Sequence, residues 1–227
     1  MATRANNNAE QQGCAPAISL TEQIAEHLAR EIITGRLGAN ARIQELRVAD
    51  DLGVSRGSVR EALLILESRH LIDLLPRRGA IVRDLTGEEL VSFSELFTDL
   101  AAAFFGKLAR VPYLDLGLPA QAVEEMAMAL GRNDLEGSIA ARKAFVDGCL
   151  AELNDVYLVS VLRALLPSAL RLAHRAARHT GYEMRDTIRF HHALLEALSR
   201  GDDNRVGELV RAFGRREGQL AAECRSS

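Results

Sequence analysis

The chain has 227 residues, of which 48% are hydrophobic, 26% charged and 4% aromatic, the profile of an ordinary globular protein, which excludes wholesale disorder and fibrous repeats. Its three cysteines, Cys14, Cys149 and Cys224, are odd in number and far apart, so neither a disulfide framework nor a thiolate zinc site is expected, and a reducing cytoplasm fits best. The net charge of −3 hides an uneven distribution: residues 55–83 hold six Arg against three acidic side chains, while residues 84–227 carry 17 basic and 21 acidic ones.

Residues 1–17 are polar and rich in Asn and Gln, and ordering them costs more entropy than their burial could return, so they read as a disordered arm. No apolar run of about 18 residues follows, and no membrane span is expected. From Ser19 the pattern turns helical: Leu20, Ile24, Leu28 and Ile32 recur four apart, with Ser19 or Thr21 as cap and Gly35 as stop. A short helix over 43–52, with Leu46, Ala49 and Leu52 on one side, ends at Gly53. A third, over 55–68, places Val59, Leu63 and Leu66 inward, and either Ser55 or Ser58 can cap it. Ser58 with Glu61 also fits a capping box. Arg56 and Arg60 then share the opposite face, one turn apart. Two extended runs, 71–75 and 80–83, joined by Pro76-Arg77-Arg78-Gly79, predict a hairpin with a basic tip.

Beyond residue 86 only helical signals remain, over 87–110, 119–132, 135–153, 156–179 with an interruption or kink at Pro167, 183–199 and 203–223. The fold class is therefore mainly α. The expected organisation is a disordered arm over 1–17, a winged helix-turn-helix over 18–83 and an all-helical bundle over 84–227 for ligand binding and dimerisation.

The first of these units suits double-stranded DNA. A major groove admits one helix, and the start of the third helix would bring Arg56 and Arg60, whose forked donors match guanine edges or phosphate oxygens. Ser55, Ser58 and the unpaired N–H groups at that helix start can hold a phosphate. Gly79 would let the wing backbone approach DNA closely, with Arg77 and Arg78 reaching a groove or phosphates. An Arg pair alone is usually solvated surface; the ordered conjunction of helix, turn, cap, Arg pair and Arg-Arg-Gly hairpin carries the reading.

The segment ADDLGVSRGSVREALLILESRHLIDLLPRRGAIV resembles the DNA-binding domain of GntR-type bacterial transcriptional regulators, over residues 18–83. The resemblance implies DNA contacts at Arg56, Arg60 and Gly79, with Arg47 and Arg78 as helpers. Gly57-Ser58 stands where Thr-Pro is common in that family. The rest of the chain resembles the helical effector domain of the FadR subclass, called FCD, through the Leu-Thr-x-Glu-Glu-Leu phrase at 85–90 and the segment HHALLEALSRGD at 191–202. Many FCD domains hold a metal through Asp-x-x-Phe-His and two later His residues. Here those positions fall on Arg142, Val146, His191 and Phe213, so the resemblance implies that the metal site is dismantled, with no metal and no cofactor. A register shifted by one residue would make Asp147 and His192 the candidates instead.

Leu100 and Phe104 align where the family has an inward Arg and Glu. An effector pocket lined by Leu100, Phe104, Arg142, Val146, His191 and Phe213 would favour a larger apolar or acyl-like small molecule, with His191 and Arg142 orienting a polar or acidic end. His191 itself reads either as a pocket residue or as a hydrogen-bonded core histidine. His174 and His179, five apart, read as partly exposed or helix-end histidines, and Cys149 as a small buried residue. The leading function is a cytoplasmic, homodimeric, effector-controlled repressor of transcription that binds operator DNA. The alternatives are a regulator or architectural protein with a degenerate pocket and, more distantly, an enzyme with His191 as base, although no catalytic motif is visible. A cavity of a few hundred Å³ would separate the first two.

Overall fold

The computed structural model describes residues 19–75, 79–84 and 87–224; the arm at 1–17 and the wing-tip residues Arg77 and Arg78 lie outside them. Helix α1 (Leu20–Ile33) starts where the Ser19 side chain accepts the Glu22 N–H, and buries Ile24, Leu28 and Ile32 as their spacing requires. Strand β1 (Arg42–Ile43) follows, then α2 (Glu45–Leu52) and α3 (Arg56–Ser68). Gly53 turns the chain between these helices at φ +65°, a left-handed conformation that suits glycine. Strands β2 (Ile72–Leu75) and β3 (Gly79–Val82) form the hairpin. The sheet order is β1-β3-β2, all antiparallel, with Leu75 opposite Gly79 and Ile43 opposite Ala80.

Two details depart from the sequence reading. The helix expected from residue 43 begins at Glu45, because Arg42 and Ile43 are drawn into the sheet. On α2 only Ala49 is buried; Leu46 is 49% exposed.

The remaining helices are α4 (Gly87–Leu108), α5 (Gly117–Gly131), α6 (Leu135–Ala151), α7 (Val156–Ala176), α8 (Met184–Ser199) and α9 (Asp203–Glu223). Helix α7 runs through Pro167 without a break, with Pro167 buried. It is the one described helix long and apolar enough to cross a membrane. Its buried face instead serves two protein cores. Leu166, Leu170 and Ala173, with Ile139 of α6, join the cluster that α1, α3 and the sheet build, while Val159 and Leu162 belong to the core of the helical bundle. Ser168 Oγ donates to the Arg69 carbonyl at 3.2 Å, and Arg171 donates to the Arg83 carbonyl at 2.5 Å. Within the bundle α4 lies against α9 closely enough that Thr98 occupies the space a side chain on Gly214 would need.

Candidate DNA-reading face and ligand cavity

The start of α3 is organised by two serines. Ser55 Oγ accepts the Ser58 N–H at 3.0 Å, and the two hydroxyls lie 2.9 Å apart. Ser55 is thus the cap, and Glu61, the expected partner in a capping box, instead accepts from Thr21 Oγ1 at 3.1 Å. With Val59, Leu63 and Leu66 fully buried, the helix is held in one rotation that leaves Arg56 and Arg60 in solvent. Arg60 is 73% exposed and lies 3.7 Å from Glu45; Arg47 is 81% exposed and 3.8 Å from Asp51. Exposed pairs of this kind hold their partners weakly, so both guanidinium groups can exchange them for phosphate or a base edge.

The local excess of arginine overstates this face. Arg69 is clamped by Glu22 and Glu26, and Arg83 is paired with Asp73 at 3.5 Å, so both serve the winged helix itself. Gly79 also has a structural reason for being glycine. It sits at φ +82°, and an added Cβ would collide with the Ile43 carbonyl oxygen of β1, so the neighbouring strand by itself demands a glycine here.

The second site is a cavity of about 80 Å³ inside the bundle, between α4, α6, α7, α8 and α9. All seven phenylalanines of the chain line it: Phe93, Phe97, Phe104, Phe105, Phe145, Phe190 and Phe213. Phe190 and Phe213 stack face to face at 4.0 Å, and Phe145 meets the His191 ring edge-on at 4.8 Å. Of the residues expected from the sequence, Phe104, Arg142, Val146, His191 and Phe213 converge here. Leu100 does not; it packs half-buried against the same core, at the edge of the α4 stripe formed by Phe97, Ala101 and Phe104. The volume falls well short of a few hundred Å³, because the aromatic rings fill most of the space, and a large acyl-like effector does not fit without movement.

Sequence reasoning missed Glu217. It is 7% exposed and grips Arg142 with both oxygens, at 2.5 and 2.7 Å, while the guanidinium lies 5.2 Å from the centre of the Phe213 ring. Arg142 is therefore already engaged and is not free to orient an acidic ligand. The signal was present: an Arg on an inward face needs an anion, and Glu217 stands one turn after Phe213 on α9.

His191 is 2% exposed, and its Nδ1 lies 2.7 Å from the Thr187 carbonyl oxygen. A carbonyl only accepts, so Nδ1 carries the proton. Burial, reinforced by the positive charge of Arg142, pushes the imidazole pKa down to about 3, which keeps the ring neutral.

The donor set does not suit a metal ion. The four positions that would hold one bring a single imidazole, a guanidinium, a valine and a phenylalanine, and the nearby carboxylate is committed to Arg142. Among the described residues no group of three His, Cys, Asp or Glu side chains is placed to bind a cation. The neighbouring residues do not supply one either: Asp147 pairs with Lys143 at 2.8 Å and His192 is exposed. His174 is half-buried and burial lowers its pKa, whereas His179 lies 3.3 Å from Glu223. Burial raises the Cys149 thiol to about 12, which leaves it unreactive.

Comparison with known proteins adds to this geometry. The model of bacterial regulatory proteins of the gntR family matches residues 20–82, and that of the FCD domain matches residues 114–216. An uncharacterized HTH-type transcriptional regulator of Agrobacterium vitis, from the TAR-I ttuE-ttuC' intergenic region, is 33% identical over 111 residues, which cover 47% of this chain and 65% of that protein. A gluconate operon transcriptional repressor of Bacillus licheniformis is 26% identical over 176 residues, 76% of this chain and 72% of that one. The solved structure of E. coli McbR/YncC shares the fold, with a TM-score of 0.76 at 23% identity, covering 88% of this chain and 95% of that one.

Proposed function

The chain belongs to the gntR family of bacterial regulatory proteins, with an FCD domain behind its winged helix, and we propose that it is a repressor whose grip on operator DNA is set by a small molecule in the phenylalanine-lined cavity. One observation carries the link between the two sites. Phe97 and Val146 line the cavity and also pack against the core that the winged helix shares with α6 and α7. A ligand that moves these side chains therefore disturbs the seat of the DNA-reading unit, which gives it the differential contact that any population shift requires. On the same helix as Arg142, Lys143 reaches 4.0 Å from Glu26 of α1.

Reading of DNA falls to Arg56 and Arg60, with Arg47, Ser55 and Ser58 on phosphates, and Arg77 and Arg78 at the wing tip. The functional unit is a homodimer through residues 84–227, since one winged helix reads too few bases for useful specificity. Exposed Leu96, Leu118, Met128, Val156 and Tyr157 offer apolar surface for that contact. Light scattering that finds only monomers at micromolar concentration would remove this part. No catalytic role is assigned, and the site of action is the cytoplasm, where operators are. The small volume of the cavity favours one competing reading, a regulator that binds DNA without responding to any ligand.

The experiment is selection of an operator from genomic fragments by the purified protein, followed by titration of Arg56→Ala and Arg60→Ala at matched salt. Each change is expected to cost about 1–3 kcal/mol in binding with the fold intact. Wild-type affinity in both variants would sink the assignment of α3 as the reading helix.

A further inference from the structure

The polar groups of the cavity narrow the ligand. Arg142 and Glu217 cancel each other's charge inside the wall, through two hydrogen bonds. An entering carboxylate would have to displace Glu217 and leave it buried without a partner, and an entering cation would meet Arg142; both are penalised heavily in such surroundings. The cavity is thus built for an uncharged occupant.

Its walls are faces and edges of aromatic rings, which receive a flat apolar body in stacked or edge-on contact. At about 80 Å³ the space is on the scale of one small ring with modest side-chain adjustment. One ring nitrogen in the wall has no hydrogen-bond partner among the described residues. His191 Nδ1 gives its proton to Thr187, so Nε2 is a bare acceptor. Nε2 makes no hydrogen bond with the described residues, and the ring that carries it lines the cavity. Ser94 and Thr98, both buried, add hydroxyls on the α4 side.

We propose that the cavity takes a small, uncharged aromatic molecule that donates one hydrogen bond, from a hydroxyl or ring N–H, to His191 Nε2. This deepens the effector-controlled reading and rests on it. At Nε2 the donor must come from the ligand, because the neutral imidazole has none left to give, and the ligand must be uncharged because Arg142 and Glu217, the charged side chains among the described lining residues, already hold each other.

Calorimetric titration of the full-length protein at neutral pH with three probes tests it: phenol, toluene and benzoate, which share size and flatness and differ in donor and charge. Phenol should bind at least about tenfold more tightly than either of the others, the equivalent of one buried hydrogen bond. In His191→Leu the preference of phenol over toluene should shrink to within about threefold, and Ala101→Leu, which fills the cavity, should abolish binding of all three. Benzoate binding tightest, or a phenol preference that survives in His191→Leu, overturns the ligand class while leaving the cavity as a binding site. If none of the three binds up to millimolar concentration, the cavity reading falls with it.

Discussion

Replacing Glu217 by Gln is the sharpest probe of the cavity wall. The variant keeps the shape of the side chain and removes its charge, so Arg142, only 15% exposed, is left as a buried cation. Two unit charges about 4 Å apart attract by roughly 4 kcal/mol at an effective dielectric of 20, which agrees with the roughly 3–5 kcal/mol lost when one partner of a buried pair is removed. The contact of Arg142 with Phe213 recovers part of this. Urea unfolding should therefore show Glu217→Gln destabilised by about 3 kcal/mol. Arg142→Met should suffer for the converse reason. The double variant Arg142→Met/Glu217→Leu should regain most of the loss, because apolar groups of similar volume replace both charges without desolvation. A Glu217→Gln variant within about 1 kcal/mol of wild type, or a double variant as unstable as the two singles added together, would mean that the pair is solvated and that the cavity wall is not the charge-neutral surface described.

Two further outcomes follow from packing and protonation. Gly214→Ala should lose about 1–3 kcal/mol, because its Cβ would come 2.7 Å from Thr98 Cγ2, whereas Gly106→Ala, with nothing within 4 Å, should be neutral or gain up to about 1 kcal/mol; equal melting temperatures for both would contradict the α4–α9 approach. Stability should also fall in mild acid. The folded His191 pKa, at about 3, lies below the ordinary value of 6.5, so its contribution is fully present above pH 6.5 and is lost as pH falls towards 3. Between pH 7.5 and 5 the loss is about 2 kcal/mol, and His191→Leu should flatten that part of the profile; an unchanged profile would show that His191 takes up its proton without unfolding.

What the sequence made legible was what is periodic or local. The four-residue recurrence of Leu20, Ile24, Leu28 and Ile32, and of Val59, Leu63 and Leu66, located α1 and α3 because a helix face is written in short spacing. Strand β1 was invisible, since two residues carry no period and the partner, Ile81 and Ala80, lies far along the chain. The same reason hid the Arg142–Glu217 pair, whose members are 75 residues apart. Counting charge around α3 could not separate solvated Arg56 and Arg60 from Arg69, which closes the winged helix against α1. Alignment by motif placed Val146 and His191 on the cavity but misjudged Leu100, which sits at the margin of its helix stripe. Cavity size was beyond reach, because it is the residue left by packing of seven rings and not a property of any one of them.

If the state of the cavity sets the affinity for DNA, Ala101→Leu reveals it without knowledge of the natural effector. Ala101 lines the cavity from α4 and does not touch the DNA-reading face, so a larger side chain there mimics permanent occupancy. Fluorescence anisotropy with the selected operator, at one fixed salt concentration, gives the dissociation constant of wild type and variant. The constant should shift about fivefold or more, the lower end of ordinary allosteric coupling; constants equal within about twofold, for a variant that melts as wild type does, would contradict control of DNA binding by the cavity.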